Sequence, residues 1–244
     1  MLQWWVGLRG GLTMPSIIWP GMDRLATGPG HLGDVTALDR FTIRPCDGRE
    51  AGRLAELAAR LFRQAYGPTH PEPAMSDYVA TSFSVPRLRA DLADPHVRVL
   101  LVEDATGHPL GYAYLRESDG GSPPAVEGSP SVVPGFRPGV QAGRAVEIVR
   151  FYVDEGWHGR GVAQALMAAC ETEATRRGAE ILWLAVWQLA PRAIAFYRKA
   201  GLGVVGTATF RFGDRLDDDY VMAKRVAGSP PTMRDDSEPD IFAV

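Results

Sequence analysis

One stretch of the sequence brings an acid, a glycine-flanked arginine and a helix start together: V-E-I-V-R-F-Y-V-D-E-G-W-H-G-R-G-V-A-Q-A-L-M-A-A-C-E-T-E-A-T-R, Val146–Arg176. Its first eight residues, Val146 to Val153, are apolar, β-branched or aromatic apart from Glu147 and Arg150, and predict a strand. His158-Gly159-Arg160-Gly161 then opens into a helical pattern in which Val162, Leu166 and Cys170 recur every four residues. A strand, a glycine loop and a helix N-terminus in this order form an anion site. The first helical amides have no intrahelical acceptors, and the helix dipole adds partial positive charge there. Without Cβ, Gly159 and Gly161 let a phosphate oxygen approach the backbone, and Arg160 at the rim can pair with a further phosphate. Taken alone, the loop also fits an ordinary strand-to-helix turn. It lacks the Lys-Ser/Thr of a Walker loop and the six-residue dinucleotide fingerprint, which disfavours those nucleotide sites.

The elements that hold this stretch follow from pattern. Arg40–Pro45 is a first strand, and Leu54, Leu57, Ala58 and Leu61 form the apolar face of a first helix. A proline-rich loop, Pro68–Pro73, precedes a second helical region ending near Leu92. Val97–Glu103 and Pro109–Leu115 form a hairpin, and residues 118–144, dense in Gly, Pro and Ser, form a long loop that is either functional or mobile. After the helix Ala163–Arg176, Glu180–Trp187 is apolar enough for a strand buried on both faces. Pro191 starts a helix that runs to Lys199 and stops at Gly201. Val204–Phe212 and Tyr220–Lys224 read as a last hairpin across Gly213–Asp219. Strict alternation puts Glu147 on the same face as Val149, Phe151 and Val153, where an acid is unusual.

Two segments carry a family resemblance. His158-Gly159-Arg160-Gly161-Val162-Ala163 resembles the acyl-CoA pyrophosphate loop Q/R-x-x-G-x-G/A of the GNAT N-acetyltransferase superfamily, with His158 where Gln or Arg is usual. Ala193-Ile194-Ala195-Phe196-Tyr197-Arg198-Lys199-Ala200-Gly201-Leu202 resembles that superfamily's A-x-x-F-Y-x-K-x-G-F segment, in the right order and at the expected distance. Within the superfamily the C-terminal third is similar to PaiA-type bacterial spermidine/spermine acetyltransferases. Leu184-Ala185-Val186-Trp187-Gln188, Phe210-Arg211-Phe212-Gly213-Asp214 and Asp219-Tyr220-Val221-Met222-Ala223-Lys224 match L-x-V-W-E, F-x-x-G-D and D-x-x-M-x-K, with Gln188 replacing the usual Glu.

The resemblance implies an α/β (α+β) fold, with a mixed, mostly antiparallel central sheet flanked by helices. It implies acetyl-CoA as co-substrate, no metal, and transfer of acetyl to a primary amine of a small molecule, polyamines being the first candidate. Protein lysines, protein N-termini and aminoglycosides are alternative acceptors, and a non-catalytic acyl-CoA sensor is the alternative from another class. It also implies roles. Tyr197 stands where relatives protonate the leaving thiolate, although the residue alone fits a core tyrosine that anchors its helix. Glu147 stands where the histone-acetyltransferase branch has its base, and the residue alone fits a strand end facing solvent; the animal spermidine branch has the base at the position of Val149. Phe151, Tyr152 and Val153 supply backbone to the pantetheine arm, and His158, Gly159, Arg160, Gly161, Val162 and Ala163 hold the pyrophosphate. Many relatives have a cofactor-binding Asn seven residues before the Tyr, where this chain has Ala190. Polyamine acceptors need acidic groups, for which Glu72, Asp77 and Asp119 are available.

Composition bounds these expectations. The chain has 244 residues, with 45% hydrophobic and 23% charged, as in an ordinary globular protein. A net charge of −3 provides no basic field for nucleic acid or anionic lipid. Cys46 and Cys170 form neither a disulfide framework nor a metal-ligand cluster, and Cys170 fits a reduced, buried thiol on the helix stripe, which suits a cytoplasmic location. Residues 1–38 show no sustained period and read as an irregular extension, residues 39–226 as the acetyltransferase domain, and residues 227–244 as an acidic disordered tail. The expected partner is the small-molecule amine, with no nucleic acid and no membrane, and the chain is a candidate homodimer.

Overall fold

Asp47 and Glu50 form a capping box, in which each side chain accepts from the other's backbone N–H, and this sets the start of the first helix. The computed structural model describes residues 41–69, 72–118, 144–212 and 215–226. The N-terminal extension, most of the long loop at 118–144 with Asp119, and the acidic tail lie outside the described residues. In chain order the elements are β1 (Phe41–Pro45), α1 (Ala51–Tyr66), α2 (Glu72–Ser82), α3 (Val85–Ala93), β2 (Val97–Asp104), β3 (Pro109–Ser118), β4 (Ala145–Val153), α4 (Val162–Arg176), β5 (Ile181–Trp187), α5 (Pro191–Lys199), β6 (Gly203–Phe212) and β7 (Arg215–Arg225).

The strands make one seven-stranded sheet in the order β1-β2-β3-β4-β5-β7-β6. Every neighbouring pair is antiparallel except β4–β5, which is parallel and joined by the α4 crossover. The sheet therefore has the mixed, mostly antiparallel form expected. Each face buries a helix layer. Val146, Ile148, Phe151 and Val153 of β4 pack with Leu166, Met167 and Cys170 of α4 and Ile194 of α5. Val149 and Tyr152 pack on the opposite side with Leu57, Leu61 and Phe62 of α1 and Leu88 of α3. Leu54, Leu57, Ala58 and Leu61 are all buried, and so is the Val162, Leu166, Cys170 stripe. Both cysteines are free buried thiols.

Two expectations need correction. The second helical region is two helices, because the chain leaves the helical conformation at Phe83 and Ser84 and restarts at Val85, with Pro86 in the first turn, where its ring is suited. The last hairpin is longer than Tyr220–Lys224 implies. Three consecutive aspartates suggest a turn, yet Asp217 pairs with Phe210 and Asp219 with Ala208, so Arg215–Asp219 belong to β7. Tertiary pairing overrides local preference there.

Candidate active site

The strand alternation expected for Glu147 fails at one residue. β3 and β4 pair as Tyr112 with Tyr152 and Tyr114 with Arg150, and then the register shifts so that Arg116 faces Glu147. The extra residue is Val149, a β-bulge. It separates Glu147 from Phe151 and Val153, which face α4, and puts Glu147 on the face of α1–α3 with Tyr114, Arg150 and Tyr152. Glu147 is not a solvent-facing strand end: it is 2% exposed, and its Oε2 has no hydrogen-bond partner among the described residues. Burial pushes its carboxyl up to about 7, against the opposing pull of the Arg116 cation.

Glu147 also marks the point where the sheet opens. The parallel pairing of β4 with β5 consists of Ala145–Ile181, Val146–Leu182 and Glu147–Trp183 and goes no further. Beyond it β5 continues to Trp187 beside β7, while β4 continues to Val153 beside β3 alone. The β5-side edge of Phe151–Val153 is therefore not used by the sheet. Tyr197 of α5 lies against this opening, fully buried, with its ring 6.3 Å from Phe151 and 5.4 Å from Phe196, both edge-on. It is in electrostatic contact with Tyr66 at the end of α1, which belongs to the other helix layer. Tyr66 in turn interacts with Asp219 of β7 and with Tyr152. The phenol of Tyr197 thus addresses groups from both layers at the place where β4 and β5 part.

Asp219 and Asp217 are buried on β7; the sequence names Asp219 only within the D-x-x-M-x-K match and gives neither a site role. Burial, with the neighbouring aspartates, pushes Asp219 up to about 8, and its Oδ1 has no partner among the described residues. The signal was present as alternation: Asp217, Asp219, Val221 and Ala223 share one face. Glu72 and Asp77, by contrast, are exposed, and Glu72 is paired with Arg63 at 2.7 Å.

The glycine loop turns sharply before α4. Gly159 and Gly161 have φ of +74° and +83°, in the left-handed region that favours glycine. Gly161 is the N-cap of α4 and offers no side-chain cap, so the amides of the first turn, Val162 and Ala163 included, are not capped from that side. The guanidinium of Arg160 lies 5.3 Å from the Trp157 ring centroid. His158 is turned inward. Its Nε2 lies 2.9 Å from the Val153 carbonyl, its backbone N–H donates to Glu155, and burial lowers its pKa, which favours the neutral ring. An ion pair from Arg60 to Asp154 fixes the start of the loop. Gly111 was also missed: a Cβ there would meet the Tyr152 carbonyl at 2.5 Å, so glycine lets β3 approach the end of β4. Ala190 is buried and caps α5 with no side-chain hydrogen bond, so no Asn-like contact arises at that position.

The family model for the acetyltransferase (GNAT) family matches residues 56–202. An uncharacterized N-acetyltransferase from Mycobacterium bovis is 33% identical over 177 residues, which cover 72% of this chain and 98% of that one, and a Mycobacterium tuberculosis counterpart matches equally. Among solved structures, the PaiA N-acetyltransferase of Thermoplasma acidophilum in complex with coenzyme A superposes with a TM-score of 0.55 at 16% identity, over 76% of this chain and 98% of that one. Arabidopsis thaliana NAA60 in complex with acetyl-CoA gives 0.54 at 15% identity, over 77% and 99%. The two structural likenesses carry the fold, the family model and the mycobacterial relatives carry the family, and by these the chain belongs to the GNAT family of acetyltransferases.

Proposed function

We propose that this acetyltransferase moves the acetyl group of acetyl-CoA to a primary amine of a small molecule, with Glu147 as base and Tyr197 as acid. The observation that carries the reading is the bulge at Val149, which brings a buried carboxyl with a pKa of about 7 to the point where β4 and β5 separate. The chain's own features fit the cofactor: left-handed glycines before an uncapped helix start suit a pyrophosphate, and the free edge of Phe151–Val153 suits an extended, amide-bearing arm. Open space beside Gly161, where an added Cβ would meet nothing within 4 Å, leaves room for that ligand. When bound, acetyl-CoA supplies a thioester whose carbonyl carbon accepts the amine and whose sulfur departs.

The residues divide the proton work. An amine is mostly protonated near neutrality, and a carboxyl whose pKa lies near the working pH accepts its proton with little mismatch. Tyr197 holds a phenolic proton at the opening and gives it to the departing sulfur. Burial of both groups excludes water from the exchange. The likeness of the C-terminal third to PaiA-type enzymes puts spermidine and spermine on the first acceptor panel. A thiol-release assay with acetyl-CoA over polyamines, amino acids, peptides and aminoglycosides tests the reading. Thiol release with a defined amine supports it. Binding of acetyl-CoA without thiol release from any amine would favour a sensor and overturn it.

A further inference from the structure

Arg150 is a buried cation with no anion beside it among the described residues. It is 7% exposed, and among the described residues no carboxylate lies within ion-pair distance of it. Its guanidinium stacks 4.8 Å from the Phe83 ring centroid and 5.2 Å from that of Tyr114. One nitrogen, Nη2, donates a long 3.5 Å bond to the Ser82 carbonyl, while Nε and Nη1 have no partner among the described residues. The hydroxyl of Tyr112, another donor in electrostatic contact with Arg150, is also buried and has no partner among the described residues. Aromatic rings compensate a guanidinium in part, but unfilled donors on a buried charge are costly unless an anion arrives.

The position of this group relative to Glu147 gives it meaning. Arg150 pairs with Tyr114 and Glu147 with Arg116, two residues apart on β3 and on one face. Two residues of strand span about 7 Å. Arg116 lies 5.5 Å from the same Tyr114 ring centroid, bonds its hydroxyl at 3.2 Å, and likewise has no carboxylate at ion-pair distance among the described residues. Among the acids near this face, burial holds Glu147 and Asp219 toward the neutral form, Asp217 lies beside Asp219 on β7, and Asp91 of α3, in electrostatic contact with Arg116 and Tyr114, is ion-paired with Arg87 at 3.0 Å, whereas an arginine stays charged. The charged side chains placed next to Glu147 along the strand pair are the cations Arg116 and Arg150, which favours an acceptor bearing its own anion.

Resting on the acetyl-transfer reading above, we infer that the acceptor is an amine that also carries a carboxylate, an amino-acid-type substrate, with Arg150 and the Tyr112 hydroxyl holding the carboxylate while the amine meets Glu147. The strand spacing of about 7 Å between the two positions suits an amine and a carboxylate carried on one small molecule. Arg150 offers the fork that a carboxylate accepts in a bidentate manner.

The test uses matched acceptors, amino acids against their amides (glycine, β-alanine and the common L-amino acids), with spermidine alongside, in the thiol-release assay. In the wild-type protein kcat/KM should favour the acid over its amide by roughly 10- to 100-fold, the scale of a hydrogen-bonded charge. In Arg150→Gln the preference should fall to near unity, mainly through a larger rise in KM for the acids than for the amides. Arg150→Lys should restore part of it. Should Arg150→Gln not fold, Tyr112→Phe removes a single hydroxyl and should reduce the preference several-fold. Equal use of acid and amide, or a preference that survives in the folded Arg150→Gln or in Tyr112→Phe, overturns the inference. Spermidine turnover with no acid preference overturns it and leaves acetyl transfer standing. No thiol release from any amine removes both.

Discussion

Arg116 lies directly across the strand pair from Glu147, and one extra residue in β4, Val149, puts it there. Without the bulge Arg116 would face Ile148 and Glu147 would point into the α4 layer. The cation pulls the Glu147 pKa down while burial pushes it up, and burial wins, which leaves the carboxyl near 7.

That balance predicts two pH profiles. As general base, Glu147 must be ionised, so kcat/KM should rise with pH through an inflection near 7. Arg116→Gln removes the pull that stabilises the carboxylate and should move this inflection to higher pH. Glu147→Gln should abolish it, with activity lowest near neutrality and partly regained at high pH as free amine accumulates. Steady-state rates from pH 5.5 to 9.5 check all three. An unmoved inflection in Arg116→Gln would separate the two residues functionally.

The glycine loop makes a different prediction. Gly161 has φ of +83° and its added Cβ would meet nothing, so substitution strains the backbone rather than the packing. Gly161→Ala should cost about 1–2 kcal/mol of stability. Gly161→Glu adds a like charge where a pyrophosphate would sit, and should remove the rise in melting temperature that acetyl-CoA gives the wild type. A ligand-induced shift of wild-type size in a folded Gly161→Glu would place the cofactor elsewhere.

The sequence made the first helix, the helices before and after β5, the succession of strands along the chain and the turning glycine loop readable, because period, glycine and proline act locally. It did not make the faces of β4 readable. A bulge is a property of two strands, and nothing in V-E-I-V-R-F-Y-V says which residue β3 leaves unpaired. Asp217 and Asp219 were hidden for a related reason, since a run of three aspartates resembles a turn until β6 and β5 are seen beside it. Arg150 stands in plain view in the central strand, and only the three-dimensional surroundings, with no carboxylate at ion-pair distance among the described residues, set it apart.

Buried acids also set the pH dependence of stability. The folded-state values of Glu147 and Asp219, about 7 and about 8, lie above those of an unfolded chain, so folding favours their protonated forms. That stabilisation is complete below about pH 4 and is lost as pH rises through 7 and 8. For Glu147 the loss amounts to roughly 3 kcal/mol, 1.36 kcal/mol for each pKa unit between 4.5 and 7. Asp219→Asn cannot ionise, so its stability should decline less between pH 5 and 9 than that of the wild type. Urea denaturation at those two pH values measures the difference. An identical decline in both proteins would mean that Asp219 is already ionised in the folded state near neutrality.

The last prediction concerns Tyr197, whose ring is locked between Phe151 and Phe196 at the opening of the sheet. Phe at this position keeps the ring and its edge-on contacts and removes only the hydroxyl. Stability and the acetyl-CoA-induced melting shift should therefore stay close to wild type. The proton for the departing sulfur would be gone, and kcat should fall by roughly 10²-fold or more. A group that acts only in the transition state lowers kcat and kcat/KM together, whereas one that merely shapes the site raises KM first. An acceptor that leaves KM unchanged while both other parameters drop assigns the proton to Tyr197. Wild-type turnover in Tyr197→Phe would make it a packing residue and move the acid to a neighbour, of which Tyr66, in electrostatic contact with it, is the first to test.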